Sequence, residues 1–69
     1  MKLIHMEGNQ YQLIINGKSF EGTPEQLTFL FDLDSSEVKT AILDMLANGS
    51  SIAHFGVAGT FLFSERLAA

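Results

Sequence analysis

Two turn signals divide the first third of this sequence into three short extended segments. Gly8-Asn9 and Asn16-Gly17 each lie between stretches that alternate apolar and polar residues. Asn-Gly is a strong marker of a two-residue hairpin, because both central residues of a type I′ turn need positive φ angles. The sequence therefore predicts a three-stranded antiparallel meander over residues 2–21.

The two turns also predict which residues lie opposite one another. With Gly8-Asn9 as a two-residue turn, His5 is expected opposite Gln12, and Asn16-Gly17 sets Gln12 opposite Glu21. One face of the predicted meander then carries Ile4, Met6, Tyr11, Leu13 and Phe20. The other face carries Leu3, His5, Gln12, Ile14, Ser19 and Glu21. We expect helices to cover the first face and leave the second open.

A helix-start signal follows the meander. Thr23 is a typical N-cap, Pro24 stands at the first helical position, and Gln26 is placed to complete a capping box. The helix that begins there is expected to be short and to end near Leu33.

A second, longer helix is predicted up to the Asn48-Gly49 stop signal. Asp34 is its expected N-cap, with Glu37 reaching back to complete a second capping box. Apolar residues recur at helical spacing in this segment: Val38, Ala41, Ile42, Met45 and Leu46.

Two further strands are predicted after this helix, over Ile52–Phe55 and residues 60–63. Because Phe61, Leu62 and Phe63 are consecutive, both faces of the last strand need cover, which a central position or an oligomer interface would provide. The sequence leaves that choice open. The fold class is α+β: an antiparallel β-sheet of four to five strands (β-β-β-α-α-β-β) with two helices packed on one face. Residues 1–69 are expected to form a single compact domain.

The composition indicates that so small a fold needs help to hide its apolar residues. The chain has 69 residues, 46% of them apolar, and no cysteine. A domain of this size buries only about 60% of its unfolded surface, and disulfides or cysteine-based zinc sites are excluded. We therefore expect a homo-oligomer or a standing complex with one larger protein.

The charge pattern bears on other partner classes. The net charge is −4, and the four basic residues are scattered, which disfavours nucleic acid as a partner. No stretch approaches the roughly 18 apolar residues of a membrane span, and the first apolar segment is too short for a signal peptide. We expect a cytoplasmic protein with no membrane partner.

No catalytic or cofactor-binding constellation is visible in the sequence. His5 and His54 are the two histidines of the chain, but a His5–Gln12–Glu21 row on an open sheet face encloses no substrate. The acidic run before the second helix begins like an EF-hand loop, yet Glu37 stands where that loop needs glycine. We expect no enzymatic activity, no metal and no cofactor.

The remaining feature is an apolar patch on the open sheet face. The predicted interaction residues are Leu3, His5, Gln12, Ile14, Phe61 and Phe63. An apolar patch on an otherwise acidic small protein usually marks a contact surface. The sequence thus predicts a small acidic, non-enzymatic protein-interaction or regulatory module, bacterial or phage in type. It would self-associate or bind a larger protein through an open sheet face or a sheet edge.

Two alternative functions stay open. The C-terminal aromatic residues Phe55, Phe61 and Phe63 could stack on nucleic acid bases. A small enzyme with a site between subunits would depend on His5 or His54. Binding to oligonucleotides would test the first alternative, and histidine-to-alanine substitutions would test the second.

The chain ends in Leu67-Ala68-Ala69. These three residues resemble the end of the bacterial ribosome-rescue degradation tag. The resemblance implies recognition by energy-dependent proteases, and aspartate at both terminal alanines would then lengthen the cellular half-life.

Overall fold

The structure is a computed structural model, and it describes residues 1–66. Its elements in chain order are β1 (Lys2–Glu7), β2 (Gln10–Ile15), β3 (Lys18–Gly22), α1 (Pro24–Leu30), α2 (Ser35–Asn48), β4 (Ile52–Phe55) and β5 (Phe61–Ser64). A short 3₁₀ turn, Val57–Gly59, joins β4 to β5. The five strands form one antiparallel sheet in the order β3-β2-β1-β4-β5. The predicted α+β fold and its β-β-β-α-α-β-β order are confirmed.

The predicted Asn16-Gly17 turn is present. Asn16 has a φ of 51° and Gly17 a φ of 77°, and Ile15 pairs with Lys18 across the turn. The whole register between β2 and β3 follows from that pair as predicted, with Gln12 opposite Glu21.

The capping box of α1 is also confirmed. The Thr23 N–H donates to Gln26 Oε1 at 3.0 Å, and the Gln26 N–H donates to Thr23 Oγ1 at 3.2 Å. The helix ends at Leu30, one turn earlier than the predicted Leu33.

The start of α2 differs from the prediction in one respect. The Asp34 carboxylate accepts the N–H groups of Ser36 and Glu37 at 2.9 and 3.4 Å, so Asp34 is the N-cap. The Glu37 carboxylate, however, accepts the N–H of Phe61 at 3.0 Å instead of completing a capping box. The far end of α2 follows the prediction, because Gly49 takes the left-handed conformation with a φ of 64°.

The core lies between the helices and one face of the sheet. Its buried members are Leu3, Tyr11, Leu13, Leu27, Val38, Ala41, Met45, Ala53 and Phe55. The apolar stripe of α2 supplies three of them, as its helical spacing predicts. Leu46, the last residue of that predicted stripe, is 72% exposed.

The predicted register between β1 and β2 is confirmed next to the turn, where Glu7 pairs with Gln10, and is wrong from Tyr11 onward. The ladder shifts between His5 and Glu7, so one extra residue stands in β1. Leu3 therefore pairs with Leu13, and Ile4 pairs with Gln12. Since strand residues alternate between faces, the shift moves every residue of β1 before the bulge to the opposite face.

Candidate interaction surface

The six predicted interaction residues do not share one surface. Leu3 is only 2% exposed and belongs to the core, and His5 lies on the same covered face, with its ring centroid 4.8 Å from that of Tyr11. Phe61 is also on the covered side, where its ring meets that of Phe55 at 5.8 Å. The prediction that these three residues lie on the open face is wrong, because it assumed unbulged strands.

The other three predicted residues, Gln12, Ile14 and Phe63, lie on the open face of the sheet. Two rows of residues cross this face according to the strand pairing. One row is Ser19, Ile14, Lys2, His54 and Phe63, and the other is Glu21, Gln12, Ile4 and Ile52. Polar and apolar side chains are mixed in both rows, so the open face is not a continuous apolar patch. Whether Gln12, Ile14 and Phe63 bind a partner stays a prediction.

Each histidine ring lies within hydrogen-bonding distance of a nearby acceptor. The Nε2 atom of His5 lies 2.7 Å from the carbonyl oxygen of Gly8, and the predicted His5–Gln12–Glu21 row does not form. The Nε2 atom of His54 lies 2.7 Å from Glu65 Oε1, and its ring stacks on that of Phe63. The fold thus brings each histidine against a hydrogen-bond acceptor.

Strand β5 is an edge strand, so its three consecutive apolar residues do not mark a central strand, and an oligomer interface at β5 stays a prediction. Two carboxylates of α2 accept N–H groups of β5. Glu37 Oε2 accepts the Phe61 N–H at 3.0 Å, and Asp44 Oδ2 accepts the Ser64 N–H at 3.3 Å. Glu37 and Asp44 are two helical turns apart, so they lie on the same flank of α2.

The Asp44 end of this arrangement is a small network. Asp44 Oδ2 also accepts the Ser64 hydroxyl at 2.5 Å and the Asn48 side-chain amide at 3.1 Å. The same amide donates to Ser64 Oγ at 3.0 Å. Ser64 is 5% exposed, so its hydroxyl depends on these partners in place of water. Together these bonds tie β5 to α2 and give the Phe61 and Ser64 N–H groups acceptors within the chain.

The opposite edge, β3, is open. Because Ile15 and Lys18 form the hydrogen-bonded pair that flanks the two-residue turn, Ser19 and Glu21 occupy the non-hydrogen-bonded positions of the ladder. Their N–H and C=O groups therefore point away from β2. Within residues 1–66, no backbone or side-chain group hydrogen-bonds to them. The first four residues of β3 are exposed.

Apolar side chains border this open edge on the helical side. Phe20 is 37% exposed, and its ring centroid lies 4.7 Å from that of Phe31. A Cβ atom on Gly22 would lie 2.9 Å from Gln26 Oε1, because the capping box at Thr23 holds the Gln26 side chain beside the last residue of β3. Leu30 is one turn after Gln26 in α1 and is 68% exposed.

A groove of about 430 Å³ separates the two helices on the covered side. Pro24 and Phe29 of α1 face Val38 and Ile42 of α2 across it, and Tyr11 also lines it. Burial raises the pKa of the Tyr11 hydroxyl. Phe29 is 86% exposed, so the most accessible ring of the described chain lies on the helical layer, not on the open sheet face.

Among residues 1–66, no group of three or more His, Asp or Glu side chains is placed to hold a metal ion. Neither α1 nor α2 combines the length and the apolar character that crossing a membrane requires.

No protein-family model, curated protein or solved structure matches the chain. The Leu67-Ala68-Ala69 terminus lies outside the described residues.

Proposed function

We propose that the protein is a non-enzymatic protein-interaction module that binds its partner by strand addition at the β3 edge. One observation carries this proposal: the outward backbone groups of Ser19 and Glu21 have no partner in the described chain, whereas two carboxylates of α2 accept N–H groups of β5. In strand addition, main-chain hydrogen bonds supply affinity and alternate side chains supply specificity.

The limited protection of the β3 edge supports the proposal. Natural sheets usually blunt an edge with charged side chains, proline, a bulge or a covering element. In the described chain the ladder irregularities occur in the β1–β2 and β4–β5 pairs, and the covering carboxylates lie at β5. Strand β3 has no proline, bulge or cover, and its two charged residues, Lys18 and Glu21, are its only protection. Those charges restrict which strand can pair, since like charges directly opposite each other destabilise a sheet.

The alternative functions gain less support. Phe55 is 6% exposed and Phe61 lies under α2, which leaves Phe63 alone of the three C-terminal rings on the open face. One exposed ring stacked on a histidine is a small platform for nucleic acid bases. An inter-subunit enzyme site would need His5 or His54, and each already has a local acceptor.

The proposal includes two further points that rest on the sequence. The partner is a protein, either a second copy or one larger protein, because the composition is acidic and without a basic stripe. The location is cytoplasmic, in keeping with the cysteine-free composition. Fluorescence imaging of the tagged protein in its source cells tests the location.

A comparison of three immobilised proteins tests the function: wild type, Glu21→Pro and Glu21→Ala. Proline at residue 21 removes only an N–H that points away from the sheet, a position where edge strands tolerate proline. Alanine removes the side chain but keeps the N–H. In lysate from the source cells, we expect a partner that wild type and Glu21→Ala retain and that Glu21→Pro loses at least tenfold. Equal retention by all three proteins contradicts strand addition at β3.

A further inference from the structure

We infer that the partner of the β3 edge is a second copy of this chain, with the two β3 strands paired antiparallel across a two-fold axis. This inference rests on the proposed function of β3 as a binding edge. A two-fold interface uses the same patch on both copies, so the patch must be complementary to itself. The sequence of β3, Lys-Ser-Phe-Glu-Gly, meets that condition in one register.

The register follows from which groups point outward. An axis perpendicular to the sheet keeps the helices of both copies on the same side, so residues on the same face must pair. Pairing Ser19 with Glu21 of the second copy uses all five residues of β3 and sets Phe20 opposite Phe20. Ser19 and Glu21 then form hydrogen-bonded pairs, each exchanging two backbone bonds.

The two neighbouring registers are expected to give a less stable pairing of the β3 strands. A shift that centres the axis on Glu21 sets the two Glu21 carboxylates opposite each other, which is destabilising. A shift that centres the axis on Ser19 sets Glu21 opposite Gly17, a turn residue with a φ of 77° that cannot continue a strand. The register centred on Phe20 avoids both defects, and its Ser19 hydroxyl can donate to the facing Glu21 carboxylate.

The apolar border of the edge fits the same arrangement. Phe20 lies on the helical side of β3, is 37% exposed, and its ring centroid lies 4.7 Å from that of Phe31. The two-fold axis through Phe20 brings this ring against its own copy, above the paired strands. A second copy therefore supplies the strand and the apolar cover together, which an extended peptide alone does not.

The size and charge of the β3 surface determine how tightly the two copies are expected to bind each other. A five-residue edge and the Phe20 ring beside it are smaller than the roughly 1,600 Å² of a standard interface, so a reversible dimer is expected. Each copy carries a net charge of −4. Added salt screens that repulsion and should increase the dimer fraction.

Sedimentation equilibrium over a wide concentration range measures the dimer directly. We expect a monomer–dimer equilibrium for wild type, a dissociation constant at least tenfold higher for Glu21→Pro, and less than a threefold change for Glu21→Ala. Thermal unfolding of the three proteins checks that each is folded. Ser19→Pro repeats the experiment at the other outward N–H, so the result does not depend on one folded variant.

Disulfide trapping tests the register, and the chain has no cysteine of its own to interfere. In the proposed pairing, the two Phe20 Cα atoms are about 4.5 Å apart, within the range that a disulfide spans. The two Lys18 Cα atoms are about 13 Å apart, four strand positions away. Under mild oxidation, Phe20→Cys should give a covalent dimer and Lys18→Cys, the matched control, should not.

Three results overturn the inference: a wild-type monomer at all concentrations, a dimer that Glu21→Pro and Ser19→Pro leave unchanged, or trapping of Lys18→Cys in preference to Phe20→Cys. The first result leaves the proposed function standing if the lysate comparison still finds a partner that Glu21→Pro loses. The proposed function fails together with the inference if no partner depends on residue 21 and no dimer forms. The two failures are therefore distinguishable.

Discussion

The two edge strands of the sheet differ in the polarity of their side chains and in the hydrogen bonding of their outward backbone groups. Strand β5 is apolar along Phe61, Leu62 and Phe63, and two carboxylates of α2 accept its Phe61 and Ser64 N–H groups. Strand β3 is polar and exposed, and within residues 1–66 its outward backbone groups have no partner. An apolar open edge is a template for aggregation. The fold supplies acceptors at the edge that would pair indiscriminately and leaves open the edge whose charges restrict pairing.

The contrast also locates stability and binding in different parts of the molecule. At β5 the N–H groups donate to half-buried carboxylates, and charge-assisted hydrogen bonds of this kind are stronger than neutral ones. At β3 water already satisfies the outward groups, so a partner replaces water without exposing a buried group. Substitutions at β5 should therefore change stability, and substitutions at β3 should change association.

Proline substitutions at an outward N–H of each edge strand should give the largest difference in the free energy of unfolding. Ser64→Pro removes an N–H that donates to Asp44 and a buried hydroxyl, and should lower the free energy of unfolding by about 3 kcal/mol. Glu21→Pro removes an outward N–H and should change it by less than about 0.5 kcal/mol. Urea denaturation followed by circular dichroism measures both. If both variants lost a similar free energy of unfolding, the two edges would not differ in how their outward N–H groups contribute to stability.

Removal of the Asp44 carboxylate should have the next largest effect. Asp44→Ala leaves the buried Ser64 hydroxyl with one fewer partner and should cost about 2 kcal/mol. Asp44→Asn keeps a carbonyl acceptor and should cost about half as much. Denaturation of both variants at dilute concentration gives the comparison. An Asp44→Ala protein as stable as wild type would contradict the contribution of the bonds that tie β5 to α2.

A charge on the open face separates binding through the face from binding through the edge. Ile14 is half-buried between Lys2 and Ser19, so Ile14→Asp should cost about 1 kcal/mol of stability. If the open face were the contact surface, this variant would abolish association in a folded protein. The β3-edge account predicts a dissociation constant within threefold of wild type, again by sedimentation equilibrium. A folded Ile14→Asp monomer would favour the face.

The smallest expected effect concerns the start of the helix that carries Glu37. The Ser36 hydroxyl, together with the N–H groups of Ser36 and Glu37, holds the pKa of the Asp34 carboxyl below its ordinary value. A lowered folded-state pKa contributes stability above the unfolded pKa, and this contribution is lost as the pH falls through the folded pKa. The stability difference between wild type and Asp34→Asn should therefore shrink toward low pH. A difference independent of pH between 7 and 2 would contradict this role.

Local signals account for what the sequence could predict. The Asn16-Gly17 turn, the Thr23–Gln26 capping box and the Gly49 stop depend on residues within one turn of each other, and each is present. The apolar spacing of α2 likewise predicts its buried side. These elements need no knowledge of distant contacts.

Two features of the interaction surface needed more than local signals. The bulge in β1 adds one residue without a turn signal, and the only hint is that an unbulged strand would place Lys2 on the covered face with Ile4. Glu37 suits a local capping box, yet its partner Phe61 lies 24 residues away. The open β3 edge likewise depends on the strand order, which sequence patterns alone do not determine.

Amide hydrogen exchange by NMR tests the contrast between the edges most directly. In dilute solution, the account predicts fast exchange for the N–H groups of Ser19 and Glu21 and protection for those of Phe61 and Ser64. As the protein concentration rises, Ser19 and Glu21 should become protected while Phe61 and Ser64 stay unchanged. Fast exchange at Phe61 and Ser64, or protection of Ser19 and Glu21 in the dilute monomer, would contradict it.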